Sequence, residues 1–434
     1  MRTTIIGLNY YPEATGIAPY TSGLADSLAA SGNEVRVVTT YPHYPEWRIA
    51  DGYVGRRMKD AHNGVPLTRL RPYVVKNPTG IKRLWLEVSF GAKALVTPWG
   101  RPDVVVLVSP ALFSTAIVQL RAVLSLRRPL VVVWVQDIYS LGVVETEAMS
   151  TRSASIMKRF ESYVLRRADK VVVIHDRFKR VLVSSLRVDP ERIDVVRNWT
   201  HLRSVSSDRS KYRAMFGWGD EVVVLHAGNM GAKQSLENVV EAARLADLAG
   251  SKIKFVLLGN GNRRDALVAM SQGVERLEFM TPLNDEDFQG AMAAADILLV
   301  NEKPGVAEMA VPSKLTSYFA AHRPVIAATD RGSITAEEIA AARAGLRVDA
   351  GNPSALLEAA LALGADAERS DSLGLNGGEF QRRVLSAEAA LAQFGELLTT
   401  MTIRRNNSGP SDAQVLPDAV HGADKDFAEG QLPR

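Results

Sequence analysis

The sequence has 434 residues, of which 46% are apolar and 23% are charged. This composition is ordinary for a globular protein, and the length suits two domains. The sequence contains no cysteine, which excludes disulfide bonds, thiolate metal ligands and a cysteine nucleophile. The formal charge of +4 is too weak to indicate a nucleic-acid partner, but it is compatible with phosphate ligands or an anionic membrane surface.

The N-terminal segment Met1–Gly7 has the pattern of a buried strand. It lacks the longer apolar region and the small-residue cleavage site of a signal peptide. No run reaches the roughly 18 uninterrupted apolar residues that a membrane span requires. We therefore expect a cytoplasmic protein.

The first half of the chain alternates short β-branched runs with helical stretches, such as a helix over Pro19–Ser31. The runs lack polar alternation, as parallel strands covered on both faces should. This rhythm predicts a doubly wound α/β domain over residues 1–200. The predicted strands are Thr3–Gly7, Glu34–Thr39, Val104–Val108, Leu130–Val135 and Lys170–Ile174.

A polar stretch interrupts this rhythm, and we interpret residues 201–218 as a linker. The rhythm then restarts and predicts a second Rossmann-like domain over residues 219–385. We expect residues 386–403 to form a C-terminal helix that packs back on the first domain, and residues 404–434 to be a disordered tail. The second set of predicted strands is Val222–His226, Lys254–Leu258, Arg276–Phe279, Ile297–Val300 and Val325–Ala328.

A glycine-rich turn follows the first strand of the second half. Gly228, Asn229 and Gly231 precede Lys233, and a helix is predicted over Ser235–Ala249. Glycines let the backbone approach an anion, the helix dipole favours negative charge, and the lysine adds a full positive charge. The pattern indicates a phosphate site, although a plain strand–turn–helix with a solvated lysine has the same pattern. A weaker Gly-x-Gly signal ends the next strand at Gly259, Asn260 and Gly261.

A second charged loop follows the strand Ile297–Val300, at the carboxyl end where open α/β sheets bind ligands. It contains Glu308 and leads into a helix start at Ser313, where the neighbouring Lys314 can meet an anion and Leu315 follows. The alternative is a loop and a surface helix without a ligand.

Two further candidates lie in the first domain. Gly16 follows the first strand and would bring backbone N–H groups to the same cleft. Asp137 closes the apolar strand Leu130–Val135, where it could hold a hydroxyl group or a cation, or equally could cap the next turn. Gly80–Thr97 is a basic helical stretch with a tryptophan, which suits a membrane surface as well as a helix packed on the first domain.

These segments together resemble family 4 of the retaining glycosyltransferases, which have the GT-B fold. The resemblance spans roughly residues 3 to 395 and rests on the order and spacing of four motifs. Three shorter motifs are similar to the colanic-acid-type branch, which builds bacterial exopolysaccharide and O-antigen. The four family motifs are Tyr11–Gly16, Gly228–Lys233, Gly259–Gly261 and Pro324–Ala328, and the three branch motifs are Leu8–Glu13, Gln136–Asp137 and Pro312–Leu315.

The resemblance implies a mechanism. A nucleoside diphosphate sugar would bind mainly to the second domain and the acceptor mainly to the first. Lys233 would neutralise the departing diphosphate, backbone N–H groups around Ser313, Lys314 and Leu315 would hold its phosphates, and Gly16 would complete that cradle. Glu308 would contact the sugar near the reacting carbon, where a negative charge suits an oxocarbenium-like transition state. No metal cofactor is implied.

The sequence departs from the family pattern at two points. Ser317 occupies the position of the glutamate that normally holds the ribose hydroxyls, and the family's cleft histidine has no obvious match, Asp137 lying nearby instead. Loss of one charge-assisted contact would weaken donor binding roughly ten- to a hundredfold. Two alternatives therefore stay open: an epimerase or phosphorylase on the same fold, and a catalytically silent subunit that binds glycan or a partner.

Overall fold

The computed structural model describes residues 1–13, 16–74, 81–140, 151–199, 208–305 and 314–407. They form two α/β domains, each built on one sheet with helices on both faces. The predicted fold class is therefore confirmed.

The first domain has an eight-stranded sheet of order β3-β4-β2-β1-β5-β6-β7-β8, in which only β3 runs antiparallel to its neighbour. The strands are β1 (Arg2–Ile6), β2 (Glu34–Thr40), β3 (Arg57–His62), β4 (Val65–Leu70), β5 (Val104–Ser109), β6 (Leu130–Val135), β7 (Lys170–Val173) and β8 (Ile193–Val195). The described helices are α1 (Ala18–Ala30), α2 (Ile81–Val96), α3 (Leu112–Leu124), α4 (Thr151–Arg166) and α5 (Asp176–Leu186).

The second domain has a six-stranded parallel sheet of order β11-β10-β9-β12-β13-β14. Its strands are β9 (Val222–Ala227), β10 (Ile253–Leu258), β11 (Leu277–Met280), β12 (Ile297–Asn301), β13 (Val325–Ala328) and β14 (Gly345–Val348). The helices that follow the first domain are α6 (Arg209–Phe216), α7 (Glu237–Leu248), α8 (Arg264–Met270), α9 (Asp285–Ala294), α10 (Lys314–Ala320), α11 (Ile334–Ala342), α12 (Pro353–Ala365), α13 (Ala367–Val384) and α14 (Ala387–Asn407).

The strand orders fix where a ligand can bind. In the first sheet the order reverses at β1, which lies between β2 and β5, and in the second sheet it reverses at β9, which lies between β10 and β12. In open α/β sheets, loops at the carboxyl ends of the strands diverge at such a switch point and leave a crevice. The glycine-rich turn after β9 and the loop after β12 border one crevice, and the turn after β1 borders the other.

Both sheets are covered on each face by apolar side chains. The burial pattern of β5 is continuous rather than alternating, and the same holds for β12. This explains why the sequence shows apolar runs without polar alternation at these strands. Each sheet thus has two packed layers, which make its carboxyl edge a rigid support for the loops.

Two predicted boundaries are wrong. The predicted linker contains helix α6, which Asp208 caps through the Lys211 amide and whose Tyr212 side chain packs into the core of the second domain. The predicted disordered tail was to begin at residue 404, but α14 continues to Asn407. Arg405 in this last turn donates to backbone carbonyls of the first domain. Residues 200–207 and 408–434 lie outside the described residues.

The C-terminal helix joins the two domains. Phe394 and Leu398 of α14 are fully buried against the first sheet, and the Phe394 ring lies 5.0 Å from the Trp134 ring of β6. Gln393 also donates to the backbone carbonyl of Val195 in β8. The chain therefore crosses back from the second domain and packs on the first.

A second contact between the domains is made by α11 of the second domain and α5 of the first. Glu338 is buried and accepts a hydrogen bond from His175, with 2.8 Å between Nε2 and Oε1, and it also pairs with Arg197. Glu337 beside it pairs with Arg177 and Arg180. The buried contacts of Glu338 fix one face of α11 against the first domain, while the pairs of Glu337 lie at the exposed edge of this contact.

Helix α2 packs on the first domain, with Leu86, Phe90 and Ala94 buried, while Trp85 is 58% exposed. The sequence left two options for this basic stretch, a helix on a membrane surface and a helix packed on the first domain. The structure shows the packed helix, and the Trp85 ring remains at the surface. Across the described ranges, no helix combines the length and apolarity needed to cross a membrane.

Candidate functional site

The glycine-rich turn after β9 is held tightly against the turn after β10. Met230 donates its amide to the Asn260 carbonyl at 2.8 Å, and a Cβ on Gly259 would overlap the Gly228 carbonyl. A Cβ on Gly261 would likewise overlap the backbone of Met230. Gly259 and Gly261 are therefore required for the close approach of two backbones, so their visible role is to support the loop rather than to face a ligand.

Lys233 lies in the same turn, before the start of α7. Its backbone carbonyl accepts from the Lys303 amide at 2.8 Å, and the Asn301 side chain donates to the carbonyls of Gln234 and Ser235. The end of β12 thereby fixes the backbone of the turn while the Lys233 side chain remains exposed. Gly231 donates to the Gln234 side chain at 3.1 Å, which closes the turn.

Lys314 begins helix α10 and brings a second cation to the same turn. Its Nζ atom lies 3.4 Å from Nε2 of His226, the buried penultimate residue of β9. A Cβ on Gly228 would lie 3.7 Å from that Nζ atom, and Gly228 has a φ of 132°, a region that favours glycine. Burial lowers the pKa of Lys314 to about 8. Lys314 thus places an ammonium group directly beneath the glycine turn.

A partly buried carboxylate interacts electrostatically with this cation. Glu302 follows β12 and accepts hydrogen bonds from the hydroxyl groups of Thr329 and Thr335. Burial raises the pKa of Glu302, while these two hydrogen bonds and the Lys314 charge oppose that shift. Glu302 in turn raises the pKa of Lys314. The carboxylate and the ammonium therefore stabilise each other's charged form.

Asp137 faces these groups from the first domain. It follows β6, and its Oδ1 atom is buried without a hydrogen-bond partner among the described residues. Burial raises the pKa of Asp137 to about 7, and the positive charges of Lys233 and Arg83 partly oppose this shift. Asp137 follows a strand of the first sheet and Lys233 follows a strand of the second, so each lies at the carboxyl edge of its sheet, and the charge of Lys233 acts on Asp137 between the two edges. We call the space between these edges the interdomain cleft.

The turn after β1 is also built around a buried carboxylate. Glu13 accepts hydrogen bonds from the amides of His43 and Tyr44, at 2.8 and 2.9 Å, and from the Asn9 side chain. A Cβ on Gly16 would lie 3.2 Å from the Tyr44 ring, and Gly16 has a φ of 66°. The turn that carries Gly16 is thus packed against the turn after β2.

The remaining predicted residues divide into two groups. Asn229 and Asn260 are exposed at the tips of their turns, Leu315 is buried in the core of the second domain, and Ser317 is 9% exposed on α10. Glu308 and Ser313 lie outside the described residues, so the sequence-based assignment of these two residues stays a prediction.

Two residues beside Lys314 were missed by the sequence analysis. His226 looked like the end of an apolar strand, and Glu302 looked like one of several charges in a loop. One signal could have identified them. Each is an ionisable residue at the carboxyl end of a strand that borders the crevice, His226 at the end of β9 and Glu302 after β12. Elsewhere, the described residues contain no group of three His, Asp or Glu side chains that could hold a metal ion.

Comparisons with known proteins decide the family. Residues 15–199 match the model described as a glycosyl transferase 4-like domain, and residues 221–366 match the model described as glycosyl transferases group 1. Over 338 residues the chain is 31% identical to the putative colanic acid biosynthesis glycosyl transferase WcaI of Escherichia coli (strain K12), covering 74% of this chain and 81% of that protein. The chain belongs to this glycosyltransferase family.

Further relatives of this glycosyltransferase are more distant. The probable glycosyltransferase WbjE of Pseudomonas aeruginosa is 26% identical over 264 residues, which is 58% of this chain and 64% of that protein. Sucrose-phosphate synthase from Thermosynechococcus elongatus superposes with a TM-score of 0.70 at 19% identity, covering 93% of this chain and 99% of that chain. Anabaena HepE in complex with UDP superposes with a TM-score of 0.67 at 15% identity, covering 92% and 100%. These structures share the GT-B fold.

Proposed function

We propose that this enzyme is a retaining glycosyltransferase that moves a sugar from a nucleoside diphosphate sugar to a lipid-linked or polysaccharide acceptor in the synthesis of bacterial exopolysaccharide or O-antigen. One observation carries the proposal. Two cations, Lys233 and Lys314, border the switch point of the second sheet, and Asp137 faces Lys233 from the first sheet. This arrangement suits an anionic donor opposite a hydroxyl acceptor.

The second domain would hold the diphosphate. Lys233 and Lys314 would neutralise it as it leaves, and the backbone of the turn from Gly228 to Gly231 would approach its oxygens closely. Gly16 would close the site from the first domain. Removal of negative charge from the leaving group is the main contribution that a protein can make to this step.

The reacting centre would lie between the two domains. Asp137 would accept a hydrogen bond from the acceptor hydroxyl, since it is a partly buried carboxylate at the carboxyl end of β6 with an oxygen that has no hydrogen-bond partner among the described residues. Glu308 would contact the sugar near its anomeric carbon, as the family resemblance implies. Ser317 would replace the usual ribose-binding glutamate, so we expect the base and ribose to contribute less to donor affinity than the diphosphate does.

The relatives support a choice of which donor and acceptor to test first. HepE is described in complex with UDP and with UDP-glucose, which makes UDP-sugars the first donors to test. WcaI is described as a colanic acid biosynthesis enzyme, which supports a glycan acceptor of the exopolysaccharide class. We propose that the enzyme is cytoplasmic and contacts the inner membrane surface through α2, which carries the exposed Trp85 and the exposed basic residues Lys82, Arg83 and Lys93. We propose that transfer requires no metal and that nucleic acid is not a partner.

The test is a transfer assay on a membrane extract of lipid-linked oligosaccharides with UDP-, GDP- and ADP-sugars. NMR of the product gives the configuration of the new glycosidic bond. The proposal predicts transfer from one donor, unchanged by EDTA, with the anomeric configuration of the donor. An inverted product would refute retention, loss of activity in EDTA would refute metal independence, and binding of a donor without any transfer would indicate a silent subunit.

A further inference from the structure

Lys314 is an unusual cation because almost everything around it is buried. His226 is fully buried, Glu302 is largely enclosed, and both lie within the second domain rather than on the surface of the cleft. A lysine at the start of a helix would ordinarily extend into water, where its ammonium group is well solvated. The chain instead keeps this ammonium beneath the glycine turn, so a specific arrangement must offset the cost of desolvating it.

His226 can accept a hydrogen bond from Lys314 only while its imidazole ring is neutral. Its Nδ1 atom lies 3.3 Å from the Leu299 carbonyl and its Nε2 atom 3.4 Å from the Lys314 ammonium. A carbonyl can only accept and an ammonium can only donate, so Nδ1 carries the proton and Nε2 the lone pair. Burial and the nearby Lys314 charge lower the pKa of His226 well below its ordinary value, although the backbone groups of Asn229 and Leu299 oppose that shift.

Glu302 is fixed in turn by the strand that follows. Thr329 lies directly after β13 and Thr335 lies in the first turn of α11, and both hydroxyl groups donate to the Glu302 carboxylate. Thr329 and Ser333 are themselves hydrogen-bonded, at 2.8 Å between their oxygens. The carboxylate therefore has little freedom to move, and its charge is held at a constant place relative to the glycine turn.

Helix α10 is anchored independently of these polar groups. The Tyr318 hydroxyl accepts from the Ala227 amide at 2.8 Å, directly beside His226. Gly377 of α13 packs against Phe319, where a Cβ would lie 3.2 Å from the ring. Since the Tyr318 hydrogen bond and the packing of Phe319 fix the helix, His226 and Glu302 are not needed to hold α10 in place.

We propose that His226 is a positioning residue that holds the Lys314 ammonium beneath the Gly228 turn, as a fixed positive charge for the donor diphosphate, and that the Glu302 carboxylate supports the charged form of that lysine. His226 sets where the ammonium lies, and Glu302 sets the pH range in which it stays charged. The inference rests on the proposed binding of a nucleoside diphosphate at this turn, and it adds two residues that do not themselves touch the donor.

The proposal has a consequence for pH. The titratable groups that face Lys314 among the described residues are His226 from β9, Glu302 after β12 and Tyr318 on its own helix, with Asp330 acting through Glu302. His226 is neutral and Tyr318 has its pKa raised by burial, so neither changes charge between pH 6.5 and about 9. Loss of the Lys314 proton is then the change that weakens diphosphate binding above a pH of about 8.

The experiment measures the Kd of whichever of UDP, GDP and ADP raises the melting temperature of the wild-type enzyme, by calorimetric titration from pH 6.5 to 9.5. Above a pH of about 8 the binding of wild type should weaken, approaching tenfold per unit of pH. Glu302→Gln keeps the shape of the side chain but removes its charge, so its weakening should begin at a lower pH than in wild type. Its Kd should rise several-fold at pH 8 and stay near wild type at pH 6.5.

Four variants complete the test. Lys314→Met should bind roughly ten- to a hundredfold more weakly at pH 6.5 and lose the weakening above a pH of about 8. His226→Leu should weaken binding at every pH, and His226→Gln, which retains an acceptor near the Nε2 position, should restore most of it. Glu237→Gln on α7 is the matched control and should follow the wild-type profile.

If Glu302→Gln folds poorly, Thr335→Val removes one hydrogen bond from the carboxylate and should shift the profile in the same direction by less. A Glu302→Gln profile that superimposes on wild type, or a Lys314→Met variant that keeps the weakening at high pH, would overturn the inference while leaving nucleotide binding intact. A wild-type enzyme that binds none of the three nucleotides would refute the proposed function and this inference with it.

Discussion

Replacement of Lys233 by methionine tests the role of the exposed cation in the cleft. The side chain is exposed and its backbone is held by the Lys303 amide, so we expect the substitution to remove the charge while the turn keeps its backbone anchor. A charge-assisted hydrogen bond to phosphate contributes about 1.5–3 kcal/mol, which corresponds to roughly 10- to 150-fold in donor affinity. Because charge accumulates on the departing diphosphate, we expect kcat to fall as well, by about a hundredfold or more.

The same substitution should change the pH dependence. The Lys233 charge lowers the pKa of Asp137, which burial has raised to about 7. Without that charge the Asp137 carboxyl becomes protonated at higher pH. If its ionised form is the active one, the acidic limb of the pH–rate profile should therefore move to higher pH. The assay is initial-rate release of the nucleoside diphosphate, over a range of donor concentrations and of pH.

Lys252→Met is the matched control, since Lys252 is an exposed lysine directly before β10, at the amino end of the sheet and away from the cleft. It should leave kcat, KM and the pH profile unchanged. If Lys233→Met lowered kcat/KM by less than about threefold, or lowered it only as much as Lys252→Met, the assignment of Lys233 to the diphosphate would be refuted.

Three further predictions concern single features. Asp137→Asn should abolish the acidic limb near pH 7 together with most of the activity, measured by the same assay; an unchanged limb would assign it to another group. Gly228→Ala should cost about 1–3 kcal/mol of stability and weaken nucleotide binding, because alanine at a φ of 132° is strained, and an unchanged denaturant midpoint would contradict this. A chain that ends at Ile403 should be less stable than one that ends at Asn407 by about 1–2 kcal/mol, because it lacks the Arg405 hydrogen bonds, and equal melting temperatures would show that the last turn is dispensable.

The parts of the fold that the sequence predicts well are its buried parallel strands. Leu130–Val135 and Val325–Ala328 were predicted with the bounds that the structure has, because continuous β-branched runs occur in few other contexts. The hairpin of β3 and β4 was missed. Arg57–His62 lies at the edge of the sheet with mostly exposed polar side chains, so no apolar pattern marks it.

Helix α6 was missed for a different reason. Its eight residues are mostly polar, and what holds it in place is contact with distant parts of the chain. Arg209 and Arg213 both pair with Asp296, which lies more than eighty residues away. Propensity and local pattern carry no information on such pairs, which exist only once the second domain has folded.

In the candidate site, too, local sequence patterns were recognised and contacts between distant residues were not. The glycines and lysines of the two loops were found because strand, turn and helix start are local patterns. Lys314 and His226 are 88 residues apart, and their pairing depends on β9 and β12 being neighbours in the sheet, which the order of strands along the chain does not show. The roles of Gly259 and Gly261 likewise became clear only when the neighbouring turn was in place.

The central claim is that the cleft binds a nucleoside diphosphate through the turn at Gly228 and its two lysines. Its most direct test is thermal unfolding of the intact enzyme with UDP, GDP and ADP, each compared with the free nucleoside. The account predicts that one diphosphate raises the melting temperature by several degrees at millimolar concentration, that its nucleoside does not, and that Lys233→Met combined with Lys314→Met removes the effect. An equal increase with the nucleoside alone, or no increase with any diphosphate, would contradict it.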